Sequence, residues 1–119
     1  MKTVIIKIPS KDVFFRRYTE VMSGIMDVRG KEREILMWLL YYYDEMKNDQ
    51  QRDEKIFSSN IRKMICKNAG ISMASLNNCI CSLRYRGIVS GTGHDSRINT
   101  KYIVSYSDSY DILFKLIKS

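Results

Sequence analysis

The chain is poor in the residues that interrupt regular structure: one proline and six glycines in 119 residues. That scarcity excludes collagen-like and low-complexity chains. With 45% apolar and 28% charged residues, the chain can build one real core and is not wholly disordered. It also lacks long hydrophobic runs. The longest, Ile35–Tyr43, is nine residues, about half of the roughly 18 needed to cross a bilayer. Met1–Ile8 carries Lys2 and Lys7 and reads as too short and too charged for a signal peptide.

Cysteine and histidine are scarce as well. Three cysteines, Cys66, Cys79 and Cys81, are an odd number without a secretion signal, so no disulfide framework is expected and the cytoplasm is the expected location. Cys79-x-Cys81 lacks the further ligands that structural zinc requires, so no metal is expected, and Cys79 reads as a small apolar residue facing inward. His94 is the only histidine. No paired carboxylates, nucleophile–base set or phosphate-cradling glycine loop appears. The expectation is a protein that is not an enzyme and uses no cofactor.

What the chain has is positive charge in one place. The formal net charge is +7, from 20 basic and 13 acidic side chains. Residues 60–104 hold Arg62, Lys63, Lys67, Arg84, Arg86, Arg97 and Lys101 against Asp95 alone, which is 7 − 1 = +6. A localised positive field attracts polyanions, and neutralising phosphates is the sequence-independent part of nucleic-acid binding. The same block also fits a solvated basic face.

Apolar spacing places the elements. Thr3–Ile8 reads as a short strand or arm, ended by Pro9-Ser10. Ser10 is placed to cap a helix from Lys11, whose apolar face is Val13, Phe14, Arg17, Tyr18, Val21, Met22 and Ile25. A second helix, about Lys31 to Met46, is apolar around most of its circumference and is expected at the centre. Within it, Tyr41-Tyr42-Tyr43 fits base stacking, a core or an interface. Asn48–Lys55 reads as an exposed loop. Ser58 or Ser59 caps a third helix near Asn60–Asn68, with Ile61, Met64 and Ile65 buried. Gly70 turns the chain, Ile71 packs inward and Ser72 caps a fourth helix with Leu76, Cys79, Ile80 and Leu83 on one face. Ile88–Ser90 and Arg97–Val104 read as two strands around a turn-rich tip, and Tyr110, Leu113, Phe114 and Ile117 as a C-terminal amphipathic helix.

The predicted class is mainly α with a small β-hairpin (α+β). From Arg33 the order is helix, helix, tight glycine turn, helix, hairpin, which is that of a winged helix-turn-helix. The parts are an N-terminal arm and helix (1–30), the winged helix-turn-helix (31–104) and a C-terminal helix (105–119).

The stretch RKMICKNAGISMASLNNCICSLRYRGI, Arg62–Ile88, resembles the winged-helix domains of plasmid and phage replication initiators, especially the Firmicute plasmid replication protein family. VFFRRYTEVM and GKEREILMWLLYYYDE resemble that family's first two helices, and RINTKYIV its return strand, with Thr100 where the family usually has Pro. The likeness spans roughly Val13 to Val104. It implies binding of double-stranded DNA, in replication initiation or transcription control, by a phage- or plasmid-encoded protein in the host cytoplasm. The fourth helix would enter the major groove.

Where the family often carries Arg after the capping serine, this chain has Met73. The expected base-reading edge is Met73, Ser75, Asn77, Asn78 and Ser82, since Asn pairs with adenine and Ser with base or phosphate. Asn77 and Asn78 equally fit a polar surface pair. Arg62, Lys63, Lys67, Arg84, Arg86, Arg97 and Lys101 are the expected phosphate and wing contacts, although Arg84 and Arg86 also suit a helix C-terminus. Such domains commonly dimerise, and Phe14, Phe15 and Tyr18, or Leu113, Phe114 and Ile117, are the candidate contacts. The alternative is a non-catalytic structural or protein-interaction module, for instance a phage particle component in the virion. A second, C-terminal amphipathic helix and an arm able to extend a partner's sheet favour it.

Overall fold

A computed structural model describes residues 10–104. The expected arm at 3–8, the helix around 110–117 and its candidate dimer contacts lie outside these residues. Five helices are described: α1 (Lys11–Met26), α2 (Gly30–Glu45), the single turn α3 (Arg52–Lys55), α4 (Ser59–Ala69) and α5 (Met73–Tyr85). A two-stranded antiparallel sheet follows, β1 (Val89–Ser90) and β2 (Arg97–Ile98), pairing Val89 with Ile98 and Ser90 with Arg97. The class is α+β, mainly helical.

Helix α2 is central, packing against α1, α4 and α5. Ile35, Leu36, Met37, Leu39, Leu40 and Tyr43 are buried along it. Trp38, Tyr41 and Tyr42 are half-buried and pack on the core as an aromatic cluster. Lys11 lies 4.9 Å over the Tyr41 ring and also pairs with Asp44 and Glu45, tying the start of α1 to the end of α2.

The setting of α1 differs from expectation. Its buried residues are Phe14, Phe15, Tyr18, Thr19 and Met26, while Val21 is 52% and Ile25 72% exposed. The helix is rotated so that Phe15 and Thr19 face inward, and Thr19 can do so because its hydroxyl donates to the Phe15 and Arg16 carbonyls. Phe14, Phe15 and Tyr18 belong to this chain's own core, so they are not the dimer contact expected of them. Ser10 stands at the N-cap of α1 but caps nothing with its side chain; its hydroxyl donates to Asp12 instead.

The polar stretch 48–55 is not a plain loop. It folds into α3, where Tyr43 donates to Asp53 at 2.7 Å, Arg52 lies 4.1 Å over the Tyr43 ring, and Lys55 pairs with Asp49 at 2.8 Å. Mixed charge hides a helix that is held by specific partners rather than by an apolar stripe. The Lys55 ammonium, followed by the Gln51 amide, holds the Asp49 carboxyl below its ordinary value of 3.8. A lowered folded value means the stabilisation is present above that ordinary value and is lost as pH falls through the folded one. Asp49→Asn is therefore expected to flatten the acid limb of stability, read as urea midpoints between about pH 6 and pH 2.

The turn between α4 and α5 forms as its residues dictate. Ser58 accepts from the Ile61 amide, Gly70 takes φ +66°, and Ser72 accepts from the Ser75 amide at 3.2 Å. Ile71 is half-buried against the core. The buried stripe of α4 is Ile61, Ile65 and Ala69, four residues apart, which leaves Met64 41% exposed rather than inside. Gly87, at φ +79°, ends α5, and the Ile88 amide closes on the Leu83 carbonyl.

The second expected strand is cut short. Arg97–Ile98 pair with β1, but Asn99 breaks the alternation. Its backbone amide donates to Ile88, its side-chain amide donates to the Gly87 carbonyl, and its side-chain oxygen accepts from the Lys101 amide. A 3-10 turn, Thr100–Tyr102, follows. It brings the Tyr102 carbonyl to the Tyr18 hydroxyl of α1 at 2.9 Å.

Candidate nucleic-acid interface

Helix α5 presents an outward stripe at three- and four-residue spacing: Ala74, Asn78, Cys81 and Tyr85, all exposed. Tyr85 is 92% exposed. Beside the stripe, Asn77 and Ser75 are also exposed, and Met73 is half-buried against the core. Asn78 lies at the middle of the outward face. Asn77 is engaged, its side-chain oxygen accepting from Arg62 at 3.3 Å. The Ser75 hydroxyl accepts from Ser72 within the cap.

Two expected site residues point elsewhere. The Ser82 hydroxyl donates to Glu32 at 2.5 Å, facing α2. Arg86 donates to Glu32 at 3.0 Å and to Asp27 at 2.9 Å. Glu32, followed by Asp27, holds the guanidinium charged more firmly than usual. The charge of Arg86 is thus matched by two carboxylates in a clamp joining the end of α5 to the α1–α2 connection. The Glu32 partners of Ser82 and Arg86 lie 50 and 54 residues away in sequence, so spacing gave no sign of them.

The other cations of the block are placed differently. Lys63 and Lys67, four apart, stand exposed on α4. Arg84 reaches the hairpin, its Nε donating to the Gly91 carbonyl at 2.6 Å and a terminal nitrogen to the Ser96 hydroxyl at 3.2 Å. That contact fixes the hairpin tip against α5. Gly91 allows the tip to close on itself: at φ +74°, a Cβ there would lie 2.2 Å from the Asp95 carbonyl oxygen. Arg97 donates to the Ser96 carbonyl at 2.8 Å, and Lys101 lies 5.7 Å over the Tyr102 ring. Among the described residues, Arg62, Lys63, Lys67, Arg84 and Lys101 make no ion pair with a carboxylate.

Reasoning from the sequence put Cys81 on the exposed face but left both Cys81 and Tyr85 out of the candidate site residues. Their place in the stripe was readable once Leu76, Ile80 and Leu83 were set as the inner face. Cys79 is half-buried, and burial, followed by the Glu32 charge, pushes its thiol above the ordinary value of 9.0. Iodoacetamide is expected to label exposed Cys81 first and Cys79 more slowly, with the fast phase missing in Cys81→Ser, as read by intact mass against time.

Between α3, the start of α4, α5 and the hairpin tip lies an open cleft of about 540 Å³. Phe57 and Ile80 line it beside Arg62, Arg84, Ser59 and Glu54. No group of three or more metal-ligating side chains occurs among the described residues. No helix among them is long and apolar enough to cross a membrane. In comparisons with known proteins, no family model, curated protein or solved structure matches this chain.

Proposed function

We propose that the chain is a winged-helix protein that binds double-stranded DNA, with α5 in the major groove and the β1–β2 hairpin as the wing along the backbone. The observation that carries this reading is the sorting of charge. In residues 10–59 nine cations stand among ten carboxylates, and Lys11, Arg29, Lys31 and Lys55 pair with them. In residues 60–104 seven cations stand with Asp95 as the one acid; Arg86 is held by Glu32 and Asp27, whereas Arg62, Lys63, Lys67, Arg84 and Lys101 form no ion pair among the described residues. An excess of cations over acids on α4, α5 and the hairpin suits a phosphate backbone.

In this reading Asn78, with Ser75, Asn77 and Met73, reaches base edges. Arg62, Lys63, Lys67, Arg84, Arg97 and Lys101 hold phosphates. Ser82 and Arg86 maintain the fold. Replication initiation or transcription control for a phage or plasmid-like element is the role the sequence resemblance implies. The test is fluorescence anisotropy with a labelled duplex of about 20 base pairs at about 50 mM salt. The expected result is saturable binding at micromolar concentrations or below, the range of non-specific binders. Absence of binding under those conditions overturns the reading.

A second reading is a protein-interaction module without DNA binding. The neutral outward stripe Ala74, Asn78, Cys81 and Tyr85 favours it, because an exposed tyrosine among small and polar residues is a common anchor at protein interfaces. A partner complex that survives high salt, from a chain that binds no duplex, would support it.

A further inference from the structure

We propose that the cleft between α3, α4, α5 and the hairpin binds a small organic oxyanion: a phosphate or carboxylate group carried on a flat apolar body. Its volume of about 540 Å³ falls in the range of small-molecule sites, roughly 300–1,000 Å³. The floor is apolar, from half-buried Phe57 and from Ile80 at 6% exposure. A duplex backbone gains nothing from such a floor, whereas a ring or alkyl body does.

The walls supply the charge. Ile80 lies between Asn77 and Arg84 along α5, so Arg62, held at Asn77, and Arg84, held at the hairpin, approach the floor from opposite sides. The Nε of Arg62 is buried and has no hydrogen-bond partner among the described residues. Among the described residues the one side-chain hydrogen bond of Arg62 goes to Asn77 at 3.3 Å, so its terminal N–H groups keep donors for a ligand oxygen. The N-terminus of α4 opens at Ser59, where first-turn amides precede the first intrahelical bond, Arg62 to Ser58. One carboxylate, exposed Glu54, stands at the rim against the two guanidinium groups. The balance therefore favours an anion, and Glu54 limits its affinity. If the chain binds DNA as proposed above, an occupant of this cleft engages the same two arginines and competes with the duplex; that consequence alone rests on the DNA reading.

The test is an amide NMR titration of the full chain with phenyl phosphate, benzoate, inorganic phosphate and phenol, without DNA. Phenyl phosphate or benzoate is expected to shift Ser59, Ile80 and Gly93 saturably, with a dissociation constant at or below about 1 mM. Whichever of the two binds more tightly identifies the head group. Inorganic phosphate and phenol, each carrying half of the chemistry, are expected to bind at least about tenfold more weakly. Arg62→Gln should weaken binding about tenfold and Glu54→Gln strengthen it a few-fold, by loss of attraction and of repulsion respectively. The proposal is overturned if neither aromatic anion shifts these amides saturably. It is overturned too if inorganic phosphate binds as tightly as phenyl phosphate, or if Arg62→Gln, with its remaining spectrum native, binds like wild type. A chain that binds phenyl phosphate but no duplex removes the DNA reading and leaves the cleft standing. Displacement of labelled duplex by phenyl phosphate, and not by phenol, supports the competition.

Discussion

Replacing Lys63, Lys67 and Lys101 together by glutamine is expected to weaken duplex binding roughly 100-fold at about 100 mM salt. The estimate follows from counterion release. Each phosphate neutralised contributes about 0.9 to the slope of log affinity against log salt, so losing three contacts should flatten that slope by about 2–3. All three side chains are exposed, and none forms an ion pair with a carboxylate among the described residues. The folded state therefore loses little, within about 0.5 kcal/mol for each exposed substitution, and weaker binding cannot be traced to unfolding. Arg86→Gln is the counterpart. Its guanidinium is held by Glu32 and Asp27, so it should lower the melting temperature while leaving the salt slope as in wild type. Anisotropy at four or five salt concentrations, with thermal melts of the same samples, reads both. An unchanged slope in the lysine variant would count against phosphate contact by these residues.

Leu36→Ala is expected to destabilise the fold by about 2–5 kcal/mol, the cost of deleting buried methyl groups and leaving a cavity. Leu36 is fully buried on α2, the helix against which α1, α4 and α5 all pack. Walls formed by several helices cannot all collapse into the space at once, which places the site in the costly part of that range. Against a total stability of about 5–15 kcal/mol for a domain of this kind, the loss takes a large share of the folded population. It should appear as a fall in the urea midpoint with the slope of the transition unchanged. The exposed counterpart Ile25→Ala, at 72% exposure, should move stability by no more than about 0.5 kcal/mol. A large effect there would mean that the outer face of α1 is covered in solution.

The sequence alone determined the features that depend on near neighbours. The caps of α4 and α5 at Ser58 and Ser72, the left-handed turn at Gly70 and the end of α5 at Gly87 are each closed by groups within five residues. The helical spacing of Leu76, Ile80 and Leu83 set the inner face of α5 in the same way. The concentration of positive charge in 60–104 was equally plain, because it is a property of composition.

Tertiary structure decided what those elements meet. Val21 and Ile25 fit a helical stripe as well as Phe15 and Thr19 do, and only the packing against α2 set which turned inward. Asn99 sits in a run that alternates like a strand, yet its bonds to Gly87 and Ile88, 12 and 11 positions away, end the strand at Ile98. Arg84 and Arg86 look alike in sequence, two residues apart at one helix end. Successive side chains on a helix point about 100° apart, so one reaches the hairpin and the other the carboxylates of Glu32 and Asp27. Hydrogen bonds and charges act over a few ångströms of space rather than of chain. Which cations face solvent, and the cleft that four elements close around Phe57 and Ile80, therefore emerge only when the chain has folded.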